Sequence, residues 1–357
     1  MYGLKIQKLL KKTEQLSNPK DKIKLLQEAV NIADSNNDIE WGLDLRLKLM
    51  SENLDCVNNK ISFQAIGWII GTYEEDNNIY NENDFLWQYK WMINRALNDP
   101  TLTSETVNNI IDDFSMRLKN NNYSLRPIYE NYFEYYTFLG LKDEASKYLE
   151  LRDAAIIDDM SDCNACEKDS YIYWCLTFEG YEKAKNEASK IFNGTLSCHR
   201  IPIITYANFT QELTKQNRLK EAENYYEKGM KHIFEDKDSI DERNFEHLLN
   251  FTYFLSKTDN NLAWKIIEKN YIKEKPDPMY DYRISESMLS ILKNTSKEEL
   301  NINLPEWLPI HKKENIYTKG ELYDYYYSIF ISYTNAIAKR EGISKIITLA
   351  EEKIASF

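Results

Sequence analysis

A short turn signature returns along the chain at nearly even intervals, and it constrains the fold more than any other feature. Gly140-Leu141-Lys142-Asp143-Glu144-Ala145, Gly180-Tyr181-Glu182-Lys183-Ala184 and Asn217-Arg218-Leu219-Lys220-Glu221-Ala222 each join two stretches with apolar residues every three or four positions. Asp259-Asn260-Asn261-Leu262-Ala263 is a looser copy. With 140, 180, 217 and 259 as turn positions, the intervals are 40, 37 and 42 residues. Gly or Asn accepts the left-handed conformation that ends a helix, and the Ala that follows lets the second helix approach the first. The signature predicts helix hairpins. A lone hairpin cannot bury its own apolar face, so neighbours have to stack.

The same design is visible near the N-terminus. Ile23, Leu26, Val30 and Ala33 fall on one helical face, and a second helix near Ile39 to Leu54 follows the polar break Ser35-Asn36-Asn37. The pattern fails only near Asn294 to Thr318. There Leu304-Pro305-Glu306-Trp307-Leu308-Pro309 carries two prolines that a helix interior rejects, so a long loop pinned by Trp307 is expected. Helices near Lys319–Arg340 and Ile343–Ser356 then close the array. The expected fold is all-α, an α-solenoid of stacked hairpins over residues 1–295, with the loop and capping helices of 296–357 packed on the same solenoid. A chain with 10 Gly and 8 Pro has too few turn residues for a β architecture, so helix above about 65% and negligible strand are expected.

Charge and hydropathy narrow the function. A net charge of −12 argues against general nucleic-acid binding, which needs clustered Lys and Arg. Lys5, Lys8, Lys11, Lys12, Lys20, Lys22 and Lys24 make the first helix basic, which reads as the solvated face of a capping helix, ahead of a surface for an acidic partner or a membrane. No apolar run approaches the roughly 18 residues of a membrane span, and Met1-Tyr2-Gly3-Leu4-Lys5 opens no signal peptide. A cytoplasmic location is expected.

Five cysteines make an odd count, so metal binding is a better reading than a disulfide framework. Cys163-Asn164-Ala165-Cys166 is a C-x-x-C in a loop ahead of a helix, and two thiolates so spaced can face one Zn²⁺. Cys198 lies 35 residues after Cys163, close to one repeat, so stacking should return it to the same edge. His199 is the candidate fourth ligand, with Asp162 or water as alternatives. A structural zinc carried on the loops 158–167 and 193–202 is expected, and Cys56 and Cys175 read as small core residues.

Other residues are weighed as ligand contacts. Asn208 and Gln211, with His247 and Asn250 one helical turn apart, are candidates to line a groove. Trp87 and Trp91 share a face beside Lys90, which reads as packing under a snorkelling Lys. No phosphate loop, H-E-x-x-H or nucleophile elbow is present, so the chain is read as a binding protein and not an enzyme.

A resemblance adds to this. Leu86-Trp87-Gln88-Tyr89-Lys90-Trp91, Asp112-Asp113 with Arg117, Ser161-Asp162-Cys163-x-Ala165-Cys166, Gly194-x-x-x-Cys198-x-x-x-Pro202, Arg218-x-x-Glu221-Ala222 and His247-Leu248-x-x-Phe251 recur in one family. Over roughly residues 20 to 345 the chain resembles bacterial tetratricopeptide-repeat proteins that bear cysteines and have no assigned activity. A repeat slightly longer than the ~34 residues of tetratricopeptide hairpins suits that scaffold. The resemblance implies a helical-repeat fold and supports grouping Cys163, Cys166 and Cys198, while His199 matches no position of the family. The expected role is to bind a protein or peptide. The alternative is a peptide-responsive regulator acting through a protein partner, and a zinc-dependent hydrolase ranks below both.

Overall fold

The turn residues decide where helices stop. Gly140 (φ 74°), Gly180 (φ 95°) and Asn217 (φ 57°) all take positive φ, as do Asn37 and Asn122 in earlier turns, although Gly180 with ψ 168° is extended and not left-handed helical. Asp259 does not take a positive φ: its φ is −147°, and it serves both helices at once, its N–H donating to the Leu255 carbonyl at the end of one while its carboxylate accepts the Leu262 N–H at the start of the next. The alanines after these turns, Ala145, Ala184, Ala222 and Ala263, are all fully buried, which is the close helix approach that a small side chain permits.

The computed structural model describes residues 2–54, 56, 58–235 and 247–357, and the chain is 72% helical. The helices are α1 (Tyr2–Thr13), α2 (Pro19–Ser35), α3 (Ile39–Asn53), α4 (Lys60–Glu75), α5 (Leu86–Asn98) and α6 (Ser104–Asn120). They continue as α7 (Arg126–Phe138), α8 (Lys142–Ala154), α9 (Asn164–Phe178), α10 (Tyr181–Glu187), α11 (Ser189–Phe192), α12 (Ile203–Lys215) and α13 (Leu219–Glu235). The remainder are α14 (Thr252–Thr258), α15 (Asn260–Asn270), α16 (Pro278–Lys293), α17 (Lys319–Glu341) and α18 (Lys345–Ala355).

Consecutive helices pair as hairpins, α2 with α3, α5 with α6, α7 with α8, α9 with α10, α12 with α13, α14 with α15 and α16 with α17. From α5 onward the first helix of each hairpin packs on the first helix of the next, through α7, α9, α12, α14 and α16. In α2 the buried residues are Ile23, Leu26, Ala29 and Ala33, and Val30 packs half-buried against the same core. Gly229 of α13 lies so close to the Phe251 ring that an added Cβ would come within 2.4 Å of it. Arg117, 2% exposed, ties α6 to the turn ahead of α5 by pairing with Glu82 (2.7 Å), while Asp113 one turn earlier in α6 holds its guanidinium (2.8 Å).

The expected loop before α17 holds a small surprise. Glu299–Asn301 (β1) and Ile316–Thr318 (β2) pair antiparallel, with Leu300 opposite Tyr317. Three residues are too few for a two-residue alternation to stand out. Trp307 does pin the segment, donating its indole N–H to the Ile272 carbonyl (2.9 Å).

The end of the chain returns to its earlier helices. Arg340 donates to the Asp99 carbonyl (2.8 Å) and the Tyr135 hydroxyl (2.7 Å), and Tyr333 donates to the Asn98 carbonyl (3.0 Å). Tyr282 of α16 sits against Phe138 of α7. Helix α18 pairs Lys353 with Glu286 (2.7 Å), and its last carbonyls accept from Lys293 of α16. Just beyond it the Ser356 carbonyl accepts from Tyr253 of α14 (3.1 Å). Among the described residues no helix is long and apolar enough to cross a membrane.

Candidate metal centre

Cys163 is the N-cap of α9 and Cys166 lies in its first turn, so both sulfurs stand at one helix N-terminus. Their Sγ atoms are 3.4 Å apart, and the Cys166 N–H donates to Cys163 Sγ (3.4 Å). Cys198 comes from the next hairpin's entry loop, and all three sulfurs lie within 4.8 Å of one another. A tetrahedral ion with metal–sulfur bonds near 2.3 Å would space its sulfurs by about 3.8 Å, inside the observed range. Cys163 and Cys198 are exposed and Cys166 is half-buried.

The thiols are already differentiated. Burial works to raise the Cys163 pKa, but hydrogen bonds from the Cys166 backbone and from the Cys166 and Cys198 thiols outweigh it and lower it. Cys166 moves the other way, raised by burial and then by its neighbour Cys163. One sulfur therefore ionises ahead of the other, and thiolate is the form that a metal takes.

Side chains from α5 and α7 hold the C-x-x-C loop and the helix that follows it. Lys90 of α5, 3% exposed, donates to the Met160 carbonyl (2.9 Å) and to Asp162 (2.7 Å), with its ammonium 4.0 Å from the centre of the Trp87 ring. The snorkelling expected of Lys90 is therefore wrong: its charge points inward because the loop offers it two acceptors. Arg126 of α7 forms a bidentate pair with Glu167 (2.7 and 2.6 Å). Glu130 of α7 accepts from Arg152 (2.8 Å) and from Ser170 of α9. Burial pushes the Glu130 carboxyl upward, against the pull of Arg152 and Ser170.

The Cys198 turn is held differently. Backbone hydrogen bonds run both ways between Cys198 and Ile201 (3.1 and 3.3 Å), closing Cys198-His199-Arg200-Ile201 into a tight turn. A buried hydrogen bond from Thr205 of α12 to Asp169 of α9 then fixes this turn's helix against the one that bears Cys166. Burial raises Asp169 to about 6, with the Thr205 hydroxyl opposing.

Of the sequence-predicted ligands, Cys163, Cys166 and Cys198 come together and His199 does not join them. Its place at the tip of the turn leaves it exposed. Asp162 is also outside the group, engaged by Lys90. The proposed groove residues are engaged in packing. Asn208 is half-buried, the Gln211 amide donates to the Asn250 carbonyl (2.8 Å), and His247 is 7% exposed. Lys90, Arg126 and Thr205 were missed as site residues, and only the odd placement of a Lys among tryptophans hinted at one of them. Compared with family models, curated proteins and solved structures, the chain matches none.

Proposed function

We propose that the chain is a helical-repeat scaffold that holds a protein or peptide segment, with a structural zinc ion tying two of its hairpins together. The observation that carries the metal is the meeting of three thiols from two loops within 4.8 Å. An all-sulfur donor set suits soft or borderline ions, and among the metals that proteins commonly hold by thiolates (Cu(I), iron–sulfur clusters and zinc) zinc brings no redox chemistry. The scaffold reading rests on the hairpin stacking and on the tetratricopeptide resemblance. A net charge of −12 favours a basic or neutral segment over an acidic one. Metal analysis tests the site: about one zinc per chain is expected, since one set of thiolates is present. Cys163→Ser should remove the metal and Cys175→Ser should leave it. Equal loss in both variants would sink the assignment, as would metal-free wild-type protein.

A second reading, a peptide-responsive regulator acting through a protein partner, is favoured by α18. This helix lies against α16 and ends beside Tyr253 of α14, much as a bound helix lies on a receptor face. A partner helix would then compete with it. A chain ending at Gly342 should take up a synthetic peptide of residues 343–357 with a Kd tighter than about 1 mM. Absence of binding would remove this reading.

A further inference from the structure

The three sulfurs are one donor short of the tetrahedral set that closes a structural zinc site. The two residues best placed in sequence to supply a fourth both lie outside the group. Asp162 is 2.7 Å from the Lys90 ammonium, and His199 occupies the exposed tip of the turn that Cys198 and Ile201 close. No other His, Cys, Asp or Glu among the described residues joins the group. The missing position faces outward, because Cys163 and Cys198 are both exposed.

We infer that the fourth position of this centre takes a thiolate from outside the chain, either a small-molecule thiol or a cysteine presented by a peptide. The inference rests on the metal reading above. Three thiolates already exceed the charge of a divalent ion, so the metal keeps little power to acidify a bound water into hydroxide, the property on which neutral-ligand zinc sites depend. A polarisable sulfur donor competes best at such an ion. The step is a ligand addition: the incoming R–S–H loses its proton to solvent, a metal–sulfur bond forms, weakly held water leaves, and nothing is oxidised or reduced.

Cobalt(II) in place of zinc gives the readout, because thiolate-to-cobalt charge transfer scales with the number of bound sulfurs. Full-length protein loaded with one cobalt is titrated with L-cysteine, with glutathione, with a short peptide containing one cysteine, and with the matching serine compounds. Thiols should raise the charge-transfer absorption by about one third, the step from three sulfurs to four in a tetrahedral set, and the serine compounds should not. A response to the small thiols alone identifies a small-molecule ligand, and a response to the peptide alone identifies a partner's cysteine. Unchanged spectra with every thiol, on a cobalt site that Cys163→Ser abolishes, would overturn the inference and leave the metal reading standing. An imidazole signature lost in His199→Ala would overturn it too, since the turn would then have moved to fill the position. Cobalt uptake that Cys163→Ser leaves intact would instead overturn the metal reading.

Discussion

The two segments that bring sulfur to the candidate centre are held by opposite means. The C-x-x-C loop is gripped from outside by long charged side chains of earlier helices, Lys90 on Asp162 and Arg126 on Glu167. The Cys198 turn is closed by its own backbone and joined to the rest of the site through the Thr205–Asp169 hydrogen bond. Buried, charge-assisted contacts fix a loop more firmly than a local turn does. The comparison teaches that Cys163 and Cys166 form the preorganised half of the site and Cys198 the adjustable half.

The largest effect that could break this contrast lies in the ligands. Cys163→Ser should weaken zinc binding at least 100-fold, and Cys198→Ser only about 10-fold, because preorganised ligands carry more of the affinity. Competition with a chromophoric chelator measures both, and equal losses would erase the distinction. Next comes Lys90→Met, which strands Asp162 and the Met160 carbonyl without their donor. It should cost about 3 kcal/mol of unfolding free energy by urea denaturation, the scale for breaking a buried pair. A cost below about 1 kcal/mol would mean that the loop holds itself.

A third prediction uses acidity. Asp169 is raised from 3.8 to about 6 by burial, so the folded chain keeps a proton that the unfolded chain has already released. Asp169 should therefore contribute roughly 2–3 kcal/mol of stability to the metal-free protein that is lost as pH rises from about 4 to 6, alongside the losses from the other raised carboxyls Glu130, Asp277 and Asp281. Asp169→Asn should make the fall shallower by that amount, and an unchanged slope would place the titration elsewhere. The smallest effect is expected of Thr205→Val, about 1 kcal/mol for one lost hydrogen bond. It should also speed hydrogen exchange at residues 193–201 of the metal-free protein while residues 158–166 keep their rate.

How much of this was legible in the sequence follows from the range over which each signal acts. Gly140, Gly180 and Asn217 declare helix ends locally, since Gly and Asn accept a positive φ that other residues avoid, and all three have one. The cysteine grouping was legible because a regular repeat returns loops to one edge. His199 failed because adjacency in sequence says nothing about which way a tight turn aims its tip. Lys90 was illegible for another reason: its acceptors lie 70 and 72 positions away, and only the packing of α5 beside the cysteine loop brings them to it. The groove expected along the first helices was likewise drawn without α18, whose contacts with α14 and α16 no local pattern announces.

The return of the chain's end to its earlier helices bears on how the molecule comes apart. In an array whose units touch only their neighbours, stability accumulates unit by unit, and melting can begin at either end and spread. Here Arg340 joins residues 241 and 205 positions away, at Asp99 and Tyr135. Such distant contacts form late, because a long loop has to close first, and they slow folding. Once made, they give the N-terminal and C-terminal halves a common fate: α5 and α7 cannot loosen without releasing α17, and loss of the last helices removes support from residues near position 100. The protein should therefore unravel as one cooperative body and not as a string of independent hairpins.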